Sequence, residues 1–306
     1  MFGRRPDATL VRDLSAVRRF MPFISPRRNE SLVYLAQTFD PERALAYLEE
    51  LNVGRPPERR ITFFHLVMHG LTRLYHERPR MNRFVAGGRL WQRDGIWISF
   101  SAKRALDDES PIITVKQRVE PTHSLPEMVD AILERLNSGR AGNKTTSDTE
   151  VDLLLRLPVP LIRAALWLAD AADSLGLLPA GMIHSDPLYA SVFVANLGSV
   201  GLEAAYHHLW EHGNCSGFCV IGRIAPDASG RNQVTLKYTF DERIEDGLYC
   251  ARSLEKLRER LENPEKNCRR WRRGAISTKC WASRGARTPT RSERRIARSR
   301  ESFIPT

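Results

Sequence analysis

The chain has 306 residues, 42% of them hydrophobic, which is enough to bury at least one sizeable core and excludes an intrinsically disordered protein. Its net charge of +11 is concentrated in residues 264–306, which hold 13 basic and 3 acidic residues, whereas residues 1–263 carry a net charge of only +1. The basic composition is therefore a property of the C-terminal segment, and it does not by itself indicate a nucleic-acid partner for the rest of the chain.

Five cysteines are an odd number, and no apolar signal core follows the N-terminus, so we expect a cytoplasmic protein with reduced thiols. The most apolar stretch, residues 153–178, is interrupted by two prolines and several charges. It cannot supply the ~20 uninterrupted apolar residues of a membrane span, so no span is predicted. We interpret the stretch as a buried or interfacial helix, with a helix at the edge of a membrane as the alternative.

The predicted elements alternate between helices and strands. Asp40-Pro41 and Thr62 are typical helix N-terminal residues, and each precedes a helix with an apolar stripe. A third helix is predicted over residues 125–136 after Ser124, followed by a polar surface loop over residues 138–147. The predicted strands are 96–101, 112–119, 191–195, 217–224 and a final strand in which Val234, Leu236, Tyr238 and Phe240 share one face.

The last predicted helix begins at Asp246, its capping residue, and ends at residue 261. Its predicted core stripe consists of Leu248, Ala251, Leu254, Leu257 and Leu261. Strands and helices in this order predict an α/β (α+β) two-layer sandwich in which helices cover a mixed sheet. Because the composition changes near residue 263, we predict a core domain over residues 1–263 and a basic, disordered tail over residues 264–306.

Residues 239–247, Thr-Phe-Asp-Glu-Arg-Ile-Glu-Asp-Gly, join the final strand to the last helix. This junction resembles the strand-to-helix turn of the dihydrolipoamide acyltransferases of 2-oxoacid dehydrogenase complexes and of chloramphenicol acetyltransferase, whose signature is His-x-x-x-Asp-Gly. Residues 191–200 resemble that family's Thr-Phe-Thr-Ile-Ser-Asn-Leu-Gly segment, and residues 220–224 are similar to its Gly-x-Gly-Arg-Ile strand end. Weaker matches at residues 63–82 and 254–264 extend the resemblance over most of the core domain.

The resemblance implies a chloramphenicol acetyltransferase-like sandwich that forms a homotrimer, and it leaves open whether trimers assemble further into a cage. It also implies active sites between subunits, which coenzyme A and an acyl acceptor enter from opposite ends of a channel. In that family a histidine acts as general base, a nearby serine or threonine stabilises the oxyanion, and the aspartate of the motif holds the loop.

This chain departs from the family pattern at both chemical positions. Glu242 stands at the position of the general base and Ala195 at the oxyanion position, whereas Asn196, Asp246 and Gly247 match. A glutamate in water titrates at about 4.3, so it is a poor base for a thiol that titrates at about 8.5. Alanine has no donor for an oxyanion, and losing one such donor costs roughly 10²- to 10³-fold in rate. Conventional turnover is therefore expected to be very slow.

The leading hypothesis is a catalytically degenerate acyltransferase-like protein, without lipoyl or subunit-binding domains, that serves as an oligomeric scaffold or binding protein. The alternative is a divergent acyl-CoA-dependent acyltransferase that uses Glu242 or a nearby histidine, His208, on an unknown acceptor. Coenzyme A, an acyl-CoA or another small molecule is the expected ligand. No metal is expected, because the histidines and cysteines between residues 207 and 219 do not have the spacing of a known zinc site.

A third hypothesis assigns function to the basic tail. Lys and Arg side chains bind nucleic-acid phosphates, and Trp271 and Trp281 could stack on bases. A solvated extension explains the same composition, so nucleic acid is the least favoured of the partners.

Overall fold

The computed structural model describes residues 4–103, 109, 112–140 and 153–265. The predicted tail from residue 266 onward and the predicted loop from residue 141 onward lie outside the described residues. The strands are β1 (Ala8–Leu10), β2 (Leu32–Phe39), β3 (Arg83–Ala86), β4 (Arg89–Arg93), β5 (Ile96–Lys103), β6 (Ile112–Val119), β7 (Val192–Asn196), β8 (Gly217–Ile221), β9 (Ala225–Pro226) and β10 (Asn232–Asp241). The helices are α1 (Ala16–Ile24), α2 (Glu42–Asn52), α3 (Phe63–Glu77), α4 (Leu125–Arg140), α5 (Val159–Leu175), α6 (Ala180–Ser185) and α7 (Gly247–Glu262).

The strands form two sheets. The main sheet has seven strands in the order β2-β10-β8-β7-β5-β6, with β9 paired to β10. Strand β7 is parallel to β5 and β8, and all other pairs are antiparallel, so the sheet is mixed as predicted. A small antiparallel sheet, β1-β4-β3, carries the N-terminal residues.

Helices cover one face of the main sheet and bury the larger core. Strand β10 contributes to this core through alternate residues, and its side chains Val234, Leu236, Tyr238 and Phe240 are all buried as predicted. Residues from α2, α3, α4 and α7 pack on that face. The predicted two-layer α/β sandwich is therefore confirmed.

The opposite face of the sheet is covered by an extended segment, residues 201–215. A smaller core lies beneath it, formed by Phe193, Phe218 and Val220 of the strands with Leu209 and Cys215 of the segment. This face matters for the site, because Ala195 and Thr239 point to the same side as Phe193 and Phe218 by strand alternation.

Most predicted helix starts are confirmed by their caps. Thr62 and His65 form a capping box at the start of α3, Ser124 bonds Glu127 before α4, and the Asp246 side chain accepts from the Tyr249 amide at the start of α7. The predicted loop at residues 138–147 begins too early, because α4 continues to Arg140.

The predicted stripe of α7 is wrong in its first turn. Leu248 and Ala251 are exposed, whereas Cys250 and Ser253 lie inward with Leu254, Leu257 and Leu261. The leucine spacing is compatible with either of two adjacent faces of the helix. The face that packs against α3 is the one that includes Cys250.

The apolar stretch forms α5, and its apolar side chains are largely exposed. No helix in the described ranges is long and apolar enough to cross a membrane.

We predict that Leu257→Ala destabilises the protein by about 2–5 kcal/mol, because this side chain is 0% exposed in the core between α7 and α3 and its loss leaves a cavity. The matched control is Leu248→Ala on the same helix, where the side chain is 63% exposed and we expect a change below about 0.5 kcal/mol. Urea unfolding of both variants measures the difference, and equal losses would contradict the packing described here.

Candidate active site at the end of strand β10

The turn after β10 is built on a buried ion pair. Both oxygens of the Asp241 carboxylate accept from the Arg243 guanidinium, from Nε at 2.8 Å and from Nη2 at 2.7 Å. Asp241 also accepts from the Arg243 amide at 3.1 Å, and the buried Arg28 guanidinium lies 4.0 Å away. The remaining Arg243 donor, Nη1, bonds the carbonyls of Ser25 and Pro26, so the turn is tied to the end of α1. A fully paired, desolvated ion pair fixes the backbone of the turn.

A second set of charges holds the start of α7. The buried Glu245 carboxylate lies 3.1 Å from Nη1 of Arg83 and 3.4 Å from Nη1 of Arg80. Asp246 caps α7, and its bond from the Tyr249 amide lowers the pKa of this exposed carboxyl. The Asp246 side chain therefore fixes the first turn of α7.

Glu242, at the position of the general base, lies between these fixed residues but points outward. Its amide donates to the Ser31 carbonyl at 2.8 Å, and its own carbonyl accepts from Arg18 Nη1 at 2.7 Å. Both bonds use the backbone. The Glu242 carboxylate is exposed and bonds no other described residue, so it is held in place only through its main chain.

Ala195 and Asn196 lie at the end of β7, beside β8. The turn that follows comes so close to β8 that a Cβ on Gly198 would lie 2.5 Å from the Gly222 carbonyl oxygen, which explains why glycine is needed there. Ala195 offers only a methyl group and its backbone to any ligand. The Asn196 carbonyl accepts from Ser199, which stabilises the turn.

Within one chain, Ala195 and Glu242 are too far apart to act on the same atom. Ala195 is aligned with Val220, and Val220 with Lys237, so Glu242 lies five residues farther along the sheet. At ~3.3 Å per residue this is about 17 Å along the strand direction. A general base and an oxyanion donor each need to be within about 3 Å of the reacting groups. The two positions could share a site only if a second copy of the chain supplied one of them.

Two histidines, His207 and His208, lie on the sheet face between Ala195 and Glu242. The His207 ring stacks on Phe218 at 4.0 Å, and Phe218 is aligned with Thr239, three residues before Glu242. Nδ1 of His207 is 2.6 Å from the His208 carbonyl, and Nδ1 of His208 is 3.0 Å from the Leu209 carbonyl. Because a carbonyl can only accept, both neutral rings carry their proton on Nδ1 and present Nε2 as a free base.

The other candidate metal ligands, His212, Cys215 and Cys219, are held by ionic contacts or buried as thiols. His212 is held between Asp170 and Asp186, and burial raises the pKa of the Cys215 and Cys219 thiols, which disfavours thiolate ligands. No three His, Cys, Asp or Glu side chains in the part of the chain that the structure describes form a cluster that could hold a metal ion.

Neither a protein-family model nor a curated protein sequence matches the chain. Its structure, however, resembles solved acyltransferases. The match to the dihydrolipoamide acetyltransferase of Azotobacter vinelandii covers 84% of this chain and 94% of that chain, at 14% identity and a TM-score of 0.55. The match to the truncated catalytic core of the 2-oxoacid dehydrogenase complex of Thermoplasma acidophilum covers 83% of this chain and 99% of that chain, at 12% identity and a TM-score of 0.55. Chloramphenicol acetyltransferase is also similar, with coverages of 83% and 99%, 12% identity and a TM-score of 0.50.

These similarities confirm the predicted chloramphenicol acetyltransferase-like fold and the resemblance to dihydrolipoamide acyltransferase catalytic domains as a divergent chain. They bear on the fold, and the roles of Glu242, Asp246, Ala195, Asn196 and His208 remain predictions. Arg18 and Arg28, which are not among the predicted site residues, support the turn from more than 200 residues away in the chain. No local pattern marks such long-range partners.

We predict that Asp241→Asn and Glu242→Gln, two adjacent carboxylate-to-amide changes, have very different effects on stability. Asp241→Asn leaves the Arg243 guanidinium buried without its counter-charge, and we expect a loss of about 3–5 kcal/mol. Glu242→Gln changes an exposed group without a side-chain partner and should shift the free energy of unfolding by less than about 0.5 kcal/mol. Urea unfolding of the two variants tests this, and similar losses would refute the assignment of Asp241 to the frame.

Proposed function

We propose that the chain is a catalytically degenerate acyltransferase-like protein that serves as an oligomeric scaffold or as a binding protein for an acyl-CoA or another small molecule. One observation carries this proposal. The loop frame around Asp241 and Arg243 is complete, whereas the residue that it presents is Glu242, an exposed carboxylate, and the oxyanion position has only the methyl group of Ala195. The chain thus keeps the construction of the site and lacks its usual proton acceptor and donor.

Two observations support assembly as a homotrimer. The base and oxyanion positions are about 17 Å apart along the sheet of one chain, so a composite site needs a second copy. Beside the turn, α1 exposes Val17, Phe20, Phe23 and Ile24, while its Arg18 bonds the Glu242 carbonyl. An exposed apolar helix face at the edge of an incomplete site favours burial against another subunit. The Thermoplasma acidophilum protein of the same fold is the core of a multienzyme complex.

Coenzyme A or an acyl-CoA is the ligand that we propose for the composite site. The support is the fold shared with a dihydrolipoamide acetyltransferase and chloramphenicol acetyltransferase, together with the retained Asn196, Gly198, Asp246 and Gly247. Asp246 and Gly198 hold the backbone of the two segments that flank such a site in the family. Binding without turnover would suit a protein that stores, senses or presents an acyl group.

A second candidate function is a divergent acyltransferase in which a histidine outside the usual turn is the base. His208 is exposed, and its Nδ1 is committed to the Leu209 carbonyl, which leaves Nε2 free to take a proton from an acceptor thiol or hydroxyl. The proton would pass to Nε2 as the acceptor attacks the thioester carbonyl, and the coenzyme A thiolate would leave.

We predict that the wild-type protein transfers acetyl groups from acetyl-CoA to dihydrolipoamide at the rate of the uncatalysed control. The reason is that neither a histidine at position 242 nor a hydroxyl at position 195 is present. The double variant Glu242→His/Ala195→Ser should gain transfer, because each restored group contributes roughly 10²-fold or more on a frame that is already built. Chromatographic separation of coenzyme A from acetyl-CoA measures the rate, because the transfer consumes one thiol for each thiol that it releases.

Three further variants separate the candidates. Wild-type transfer that Glu242→Gln abolishes would refute degeneracy and make Glu242 the base. Transfer that survives Glu242→Gln but is lost in His208→Gln would establish the second candidate. His207→Gln is the matched control, since this ring is half-buried on Phe218 and burial lowers its pKa.

We also predict that light scattering coupled to size-exclusion chromatography gives a mass of at least three times the 34.9 kDa of one chain. Phe20→Glu/Phe23→Glu should dissociate the oligomer, because each change places a charge in the apolar face of α1. Val53→Glu, a change at a residue that is 82% exposed and far from the turn in sequence, is the control and should leave the mass unchanged. A stable wild-type monomer would contradict the composite site.

A further inference from the structure

A second exposed apolar surface lies far from the turn in sequence, between residues 153 and 182. Eleven of the twenty-two large hydrophobic side chains that are exposed in the described residues belong to this segment, which includes α5 and α6. On α5 the most prominent are Leu161, Trp167 and Leu168, with exposures of 53%, 68% and 59%. A concentration of this kind on a folded protein indicates a surface that is covered by something else in use.

The orientation of α5 is fixed by ionic contacts in addition to the packing of Ala169 and Ala172 on a small buried cluster. The Asp173 carboxylate accepts from Arg5 Nη2 at 2.6 Å, and its carbonyl accepts from Arg5 Nη1 at 2.7 Å. Arg5 is in turn paired with Asp7 through Nε at 2.9 Å, and all three residues are buried. Rotation of α5 that buried its leucines would take the Asp173 carboxylate and carbonyl away from the buried Arg5 guanidinium, at a high cost.

A second contact holds the preceding turn of α5. Asp170 lies 2.8 Å from Nδ1 of His212, and Asp186 lies 3.0 Å from its Nε2. The two carboxylates raise the pKa of His212 to about 10, so both ring nitrogens carry protons at neutral pH. Since this pKa is raised, the stabilisation is complete below about pH 6.5 and is lost only as the pH rises through about 10.

The basic and acidic residues of this surface differ in their partners. Four charged residues lie between residues 153 and 182, and the two acidic ones, Asp170 and Asp173, pair with His212 and Arg5, which they share with Asp186 and Asp7. The two basic ones, Arg156 and Arg163, are exposed and pair with no described residue. The surface thus combines leucines and a tryptophan with two exposed arginines that have no carboxylate partner among the described residues.

We propose that residues 153–182 attach the protein to the surface of a membrane that contains anionic lipids, with α5 lying in the plane of the interface. Leu161, Leu168 and Leu175 recur every seven residues along the outer side of α5 and would reach the acyl chains. Trp167 has the apolar body and polar N–H that favour the headgroup boundary, and Arg156 and Arg163 would meet lipid phosphates.

The charges favour lipid over a second copy as the occupant. Two copies that met through this surface would bring the free arginines of each toward those of the other, with no unpaired carboxylate between residues 153 and 182 to offset them. An anionic lipid surface complements both the exposed arginines and the apolar side chains.

Flotation of the full chain with vesicles tests the proposal. We expect wild-type protein to float with vesicles of phosphatidylglycerol and phosphatidylcholine in equal amounts, and to bind pure phosphatidylcholine vesicles more weakly. Leu161→Glu/Leu168→Glu should lower binding at least tenfold, because two charges replace inserted leucines. Arg163→Gln should weaken binding about fivefold on the anionic vesicles and leave the weak binding to phosphatidylcholine unchanged. The matched control, Val53→Glu/Leu202→Glu, changes two exposed apolar residues outside the surface and should bind as the wild type does.

Results of two kinds would overturn the proposal. One is flotation of Leu161→Glu/Leu168→Glu at the wild-type level, or no flotation of the wild type. The other is a fall in the solution mass of that variant without vesicles, which would show that the surface joins copies of the chain. Circular dichroism and thermal unfolding check that the variant is folded, as expected for changes at exposed positions.

Discussion

Strand β10 ends in a buried carboxylate that is completely bonded to one arginine, and the position of the whole candidate site follows from this contact. Asp241 accepts from two side-chain donors and the amide of Arg243, while the same guanidinium reaches the Ser25 and Pro26 carbonyls. Charges without solvent are stable only when each polar atom has a partner. The end of β10, the end of α1 and the first residues of the turn are therefore locked to one another. Residue 242 is directed outward by that lock, whichever side chain it carries.

This arrangement separates the construction of the site from its chemistry. Asp241, Arg243, Asp246 and Gly198 act on the backbone, through a buried pair, a helix cap and a close approach that no Cβ would allow. A change in any of them alters the fold, whereas a change at residue 242 or 195 alters only what the site presents. A chain can therefore keep this fold at 12–14% identity to solved acyltransferase structures, whichever residue stands at position 242. Fold similarity is for that reason silent on turnover, and chemical assays on the two positions are needed.

Local patterns in the sequence predict the elements well and their partners poorly. The alternation in β10 and the cap at Thr62 each express a short-range rule, and both are present in the structure. The buried face at the start of α7 is predicted wrongly, because the leucine spacing alone does not show which face of the helix packs against α3. The contacts that Arg18 and Arg28 make with the turn span over 200 residues and leave no local signal. The site itself is predicted only in part, since its two chemical positions are about 17 Å apart in one chain and a second copy cannot be derived from spacing.

Helix α5 departs from the usual pattern of a surface helix, because its inner side carries the buried Asp173 beside two alanines while its leucines lie on the outer side. In water alone such an orientation loses the free energy of apolar burial, about 25 cal/mol per Å². It is held in place because Asp173 completes a buried network with Arg5 and Asp7, and rotation of the helix would leave the Arg5 guanidinium without one of its two counter-charges. Natural sequences seldom keep a local choice that opposes the global fold without a compensating gain. An apolar environment outside the protein supplies that gain, and among such environments only one with negative charge also satisfies Arg156 and Arg163.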